Sequence, residues 1–206
     1  MYKGERFNSI THLAGVIAAI VGVSLLIAMA VEKNDAWKIV GFSIYGATLI
    51  LLYSISTIYH SARVGRFKDI FRQLDYISIY LLIAGSYTPF SLITLRGVWG
   101  WTMFGIIWAL AVIGIFQEIL IGKKTRRYSL ILYVVMGWLI VIAINPLIAS
   151  LSTAGMWWLS AGGFCYTFGV IFFLLDEKYK HFHGIWHMFV MAGSICQFIC
   201  LYNYVA

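Results

Sequence analysis

Charge is scarce in this chain. Of its 206 residues only 11% are Asp, Glu, Lys or Arg, while 62% are apolar; a soluble chain is roughly half apolar and about a quarter charged. With a mean hydropathy of +0.87 there is too little polar surface to keep a globular exterior wet, which excludes a cytosolic domain. Length is short too. Seven membrane helices of about 20 residues would use ~140 positions, leaving short loops and no room for an extramembrane domain. Cysteine is limited to Cys165, Cys196 and Cys200. An odd number, all inside apolar stretches, excludes a disulfide framework and reads as small core residues. There is no internal repeat and no low-complexity segment. The net charge of +7 does not point to nucleic acid, because the basic residues lie between apolar runs as topology signals and lipid head-group contacts.

What is present is a series of seven apolar segments, at 10–31, 37–61, 74–95, 98–121, 128–148, 156–175 and 182–205. Each is long enough to cross a bilayer, so residues 1–206 are expected to form one all-α integral membrane domain, a seven-helix transmembrane bundle. Pro89 and Pro146 fall late in the third and fifth segments, where they are expected to kink or end a helix. Gly41, Gly46, Gly105, Gly114, Gly162, Gly163 and Gly193 mark sites of close helix approach. Ala28-Met29-Ala30 resembles a signal-peptidase site, but the apolar stretch before it exceeds the usual h-region of about 7–15 residues. The first span is therefore expected to be retained.

Basic residues set the orientation. The N-terminus and the loops after spans two, four and six carry Lys3, Arg6, Arg63, Arg66, Lys68, Arg72, Lys123, Lys124, Arg126, Arg127, Lys178 and Lys180. The other side has Lys33, Lys38 and Arg96. Since basic loops stay cytoplasmic, the N-terminus is expected in the cytoplasm and the C-terminus outside. Trp37, Trp99, Trp101, Trp157, Trp158, Tyr202 and Tyr204 gather near the outer ends and read as the interfacial aromatic belt.

Ionisable residues inside spans are costly and carry a presumption of function. His12 opens span one, His60 ends span two, Asp75 opens span three, and His183 and His187 open span seven, so all five share one depth near the cytoplasmic end. His183-x-x-x-His187 puts two imidazoles on one helix face, and Ser56-x-x-x-His60 repeats that spacing. Glu5, Asn8 and His12 also share a face if the first helix reaches back to Glu5. Three neutral imidazoles with a fourth position left for water is the usual layout of a catalytic zinc site, with His60, His183 and His187 as the ligands. A proton or ion relay built from the same residues is the competing reading. His181 reads as an interfacial side chain, and Gln117 and Glu118 as interfacial more than site residues. The outer half holds Ser43, Thr48, Thr88, Thr94, Asn145, Gln197 and Asn203 but no ionisable group, which disfavours a continuous aqueous pore.

Taken together, Glu5-x-x-Asn8-x-x-x-His12, Ser56-x-x-x-His60 with Asp75, and His183-x-x-x-His187 resemble the motif set of the hemolysin III family, which belongs with the progestin and adiponectin Q receptors. The resemblance runs from Glu5 to His187. It implies a zinc ion held by His60, His183 and His187, with Asp75 and Ser56 in contact with the water at the metal. Glu5, Asn8 and His12 match the first motif and are expected to brace the site. Related receptors and the alkaline ceramidases are similar in zinc layout and are linked to hydrolysis of lipid amides. The bacterial branch is associated with membrane-lipid homeostasis and carries the hemolysin name. The resemblance thus implies an intramembrane hydrolase of a lipid amide or ester in the cell membrane, Asp75 acting as base and Ser56 orienting water. A membrane sensor with a structural zinc, or a cytolytic pore, are the rival readings. Substrate and oligomeric state do not follow from the sequence.

Overall fold

A computed structural model describes residues 4–121 and 126–206. Lys3, Lys123 and Lys124, counted above on the basic side, lie outside the described residues, as do the side chains of Arg126 and Arg127. The described residues are helical throughout, with no strand among them: α1 (Arg6–Glu32), α2 (Ala36–Ser61), α3 (Arg66–Pro89), α4 (Val98–Ile121), α5 (Arg126–Trp138), α6 (Ile144–Ser150), α7 (Thr153–Leu175) and α8 (Phe182–Tyr204). They make seven spans long and apolar enough to cross a membrane, α5 and α6 together forming the fifth.

Local chemistry sets the turns. Asp35 caps α2 by accepting from the amides of Trp37 and Lys38 at 2.9 and 3.2 Å, using donors that have no partner within the helix. Ser152 does the same for α7 through the Gly155 amide at 3.2 Å. Gly65 precedes α3 at φ 149° and Gly97 precedes α4 at φ 91°, a region that favours glycine.

Two spans differ from a reading of hydropathy alone. The third was expected to begin near residue 74, yet α3 starts at Arg66. Its first two turns are charged and extend beyond the apolar stretch, where Arg72 pairs with Asp69 at 3.3 Å and Lys68 reaches Glu5. At the other end the α-helix stops at Pro89 and continues as a π-turn over Phe90–Thr94, with the Leu95 amide bonded to the Phe90 carbonyl at 2.8 Å. The fifth span breaks before Pro146, at a 3-10 segment over Leu139–Ala143. A proline removes the hydrogen bond to the carbonyl four residues earlier and its ring crowds that turn, which accounts for the break lying on the N-terminal side of Pro146.

Backbone groups freed by such a break cannot turn to lipid. The buried Tyr87 of α3 satisfies two of them: its hydroxyl donates to the Gly137 carbonyl and accepts from the Ile140 amide, both at 2.9 Å. Tyr87→Phe is expected to destabilise the protein by about 1–3 kcal/mol, the cost of leaving buried polar groups unpaired. Thermal unfolding in detergent, compared with the wild type, measures it; an unchanged midpoint would show that the break is satisfied otherwise.

α3 is the most enclosed span, with 67% of its apolar window buried against 22% for α4 and 17% for α7. It packs on α2, which packs on α1, while α7 pairs with α8. The α1–α2 approach needs Gly46, where any Cβ would collide with the side chain of Val23. Gly105 and Gly163, expected at close approaches, meet nothing within 4 Å. Glu118 is also corrected: it is 3% exposed, inside the bundle and not at the interface. Its carboxylate accepts from Ser129 of α5 at 3.0 Å, and its carbonyl accepts from the Gln73 amide of α3 at 2.9 Å. The Ser129 hydroxyl offsets part of the cost of burying that carboxylate.

Candidate metal centre

The bundle brings His60 from the end of α2 together with His183 and His187 from the start of α8. One ligand atom from each lies within 4.8 Å of the others, and the Nε2 atoms of His60 and His183 are 3.3 Å apart. His60 and His187 are 2% and 1% exposed. The i, i+4 spacing on α8 works as expected, turning both imidazoles to α2.

The second nitrogens explain why the rings hold these positions. His60 Nδ1 is 2.8 Å from Glu5 Oε2, and His183 Nδ1 is 2.7 Å from Asp176 Oδ2. An ionised carboxylate only accepts, so each Nδ1 carries a proton, and in the neutral imidazoles each Nε2 presents a lone pair. Two lone pairs then face one another at 3.3 Å, an arrangement that one shared cation satisfies. Two imidazole nitrogens 2.0–2.1 Å from one tetrahedral zinc ion sit about 3.3 Å apart. The donor set therefore fits a divalent metal, with carboxylates behind the histidines as in many metal sites.

Glu5 is itself held by Lys68, whose Nζ lies 2.9 Å from both carboxylate oxygens. Partial burial pushes this carboxyl up, but the hydrogen bonds to His60 and Lys68 outweigh it and leave Glu5 below its ordinary range. It stays ionised, as an acceptor from Nδ1 must be.

The remaining residues of the first motif also reach the group. His12, 3% exposed, stacks on His187 with ring centroids 3.6 Å apart and planes 12° from parallel, and meets Tyr53 edge-on at 5.1 Å. Among the described residues, neither ring nitrogen of His12 nor Nδ1 of His187 has a hydrogen-bond partner. The Asn8 carbonyl lies beside His187, and the Asn8 side chain faces Gly184, where a Cβ would come within 3.0 Å of Oδ1. α1 thus lies against α8 across the site. His181, exposed at the start of α8 in the left-handed region at φ 77°, does not join the group.

Asp75 and Ser56 lie beside the histidines and outside the three-histidine group. The Ser56 hydroxyl interacts with the Asp75 carboxylate. Both line a cavity of about 260 Å³ that also meets His12, His183 and His187. From this polar end the cavity runs between α3, α5, α6, α7 and α8 past Ile83, Phe90, Ile144, Leu147 and Leu159.

Sequence reasoning missed Asp176. It lies just past α7 among other charged residues, and only the turn into α8 returns it to His183. A carboxylate seven residues ahead of H-x-x-x-H was the available signal. Asp176→Asn is expected to weaken metal binding by about 10- to 100-fold, the usual cost of removing such a partner. Competition with a chromophoric chelator measures this, and undiminished affinity would show that Asp176 does not orient His183.

Seven apolar spans closing over a three-histidine group define a multi-pass helical membrane protein with a candidate metal centre. Comparison with known proteins narrows this class. The sequence profile described as "Haemolysin-III related" matches residues 1–198. "Hemolysin-3" of Bacillus cereus is 45% identical over 203 residues, covering 98% of this chain and 92% of that protein. The "Hemolysin-3 homolog" of Bacillus subtilis (strain 168) is 44% identical, over 98% of this chain and 94% of its own. "Monocyte to macrophage differentiation factor" of Homo sapiens is 30% identical, over 96% and 83%. The chain belongs to the hemolysin III family.

Proposed function

We propose that this protein is a zinc-dependent intramembrane hydrolase that cleaves a lipid amide or ester and so serves membrane-lipid homeostasis. The observation that carries the reading is the open side of the histidine group: it borders a largely apolar cavity whose polar end holds Asp75 and Ser56, and among the described residues no fourth histidine, cysteine or carboxylate joins the three histidines. A structural zinc is normally closed by four protein ligands, whereas a catalytic one keeps a position free.

His60, His183 and His187 would hold the zinc. When bound, it supplies Lewis acidity, polarising a substrate carbonyl and making water acidic enough to react near neutral pH. The protein does the rest. Asp75, fixed by Ser56, accepts a proton from the attacking water at its carboxylate. The water oxygen bonds to the carbonyl carbon, the bond from that carbon to nitrogen or oxygen breaks, and Asp75 returns the proton to the leaving amine or alcohol. The apolar cavity orients the chain of the substrate and excludes bulk water from the reaction.

Residues 1–206 are read as one domain. From the distribution of Lys and Arg, the N-terminus is cytoplasmic, the C-terminus outside, and the site lies near the cytoplasmic face of the cell membrane. Incubating the detergent-purified, zinc-loaded protein with long-chain ceramide and with a lipid ester tests the activity. Release of free fatty acid from either, abolished by chelation, is the expected result; release from neither by well-folded protein would turn the reading toward a zinc-stapled membrane sensor.

A further inference from the structure

The cavity has a second polar station that the hydrolytic reading does not use. Gln197 of α8 lines it and is 9% exposed. Its Oε1 lies at a long 3.4 Å from the Tyr166 hydroxyl. That hydroxyl is also 2.9 Å from Ser194 Oγ, which accepts from Tyr53 at 2.8 Å and donates to the Val190 carbonyl at 3.1 Å. The Ser194 proton is committed to Val190, so the Tyr166 proton belongs chiefly to Ser194 and Gln197 is only weakly held. Among the described residues, Nε2 of Gln197 makes no hydrogen bond. Ser160 of α7, also lining the cavity, makes none either.

A buried amide whose N–H groups have no partner is costly and is rare in a span unless it has a task. Its two N–H groups ask for an acceptor. Ten positions of α8 separate His187 from Gln197, about 15 Å at the helical rise. An extended chain of carbon–carbon bonds of ~1.5 Å covers this with about a dozen carbons.

We propose that the cavity is built for a lipid chain carrying an oxygen, as a hydroxyl or keto group, about a dozen carbons from its head group, and that Gln197 and Ser160 bind that oxygen. The inference rests on the reading of the histidine end as the head-group site. Gln197 is thereby a specificity-determining residue, remote from the bond that is cleaved.

Dodecanoate and 12-hydroxydodecanoate are the probes, their binding measured by calorimetry on the detergent-purified, zinc-loaded protein. A purely apolar cavity would bind the hydroxy acid more weakly, because its hydroxyl would lose water without compensation. The wild type is expected to bind it roughly 3- to 10-fold tighter than dodecanoate, the worth of one net hydrogen bond. Gln197→Met, similar in shape but without donors, is expected to erase or reverse this preference. If that variant does not fold, Ser160→Ala is expected to narrow the preference in its place. Equal or weaker binding of the hydroxy acid by the wild type overturns the inference and leaves the head-group reading standing. Binding of neither acid overturns both.

Discussion

Asp75→Asn is expected to lower turnover of a lipid amide or ester by about 10²- to 10⁴-fold, the range supplied by a positioned acid–base group, while metal content stays at the wild-type level. The two effects separate because Asp75 lies outside the three-histidine group, so its loss removes a proton acceptor and no metal ligand. Asparagine keeps the shape of the side chain and a carbonyl oxygen for Ser56. A fall in turnover with metal retained assigns the carboxylate to the proton. Full turnover would assign it elsewhere, and loss of metal alongside turnover would make Asp75 part of the ion's support. Paired measurements of fatty-acid release and zinc content on the same preparation distinguish the three.

Much of this was legible in the sequence for one physical reason: the bilayer admits few polar groups. Seven apolar runs stand out because each span must satisfy its own backbone and meet lipid with its sides. The histidines stand out against that background, and the i, i+4 spacing of His183 and His187 needs only a helix to converge. What hydropathy could not show is helix beyond the apolar stretch. The charged turns of α3 from Arg66 carry Lys68 to Glu5, and a run of Arg, Lys and Asp looks like loop. Asp176 was hidden likewise, since its link to His183 is made by a turn. Glu118 was read as interfacial because it sits near a span end. Its burial depends on Ser129 and Gln73 arriving from other helices, which periodicity along one helix cannot report. The first motif was read as a brace without its parts being distinguishable: Glu5 bonds His60, whereas His12 stacks on His187.

Stripping the metal is the second large effect expected. An ion bound only by the folded protein adds its binding free energy to stability, about 4 kcal/mol when the free ion is a thousand-fold above its dissociation constant. For a chain of this size, chelation should therefore lower the thermal midpoint on the order of 10 °C. The histidines join α2 to α8, helices far apart in sequence, so loss of the ion loosens the bundle where α1 also docks. The His60→Ala, His187→Ala double variant should unfold at one temperature with or without chelator. A wild type indifferent to chelation, or a double variant that still responds, would place the stabilising ion elsewhere.

A metal held by His60, His183 and His187 would be one zinc ion per chain. Plasma mass spectrometry of protein purified in detergent without chelators, beside the same double variant, tests it most directly. Near one zinc per chain in the wild type and none in the variant is the expected result. Absence of metal from a folded wild type would rule out the zinc site and leave the facing imidazoles of His60 and His183 as a proton relay.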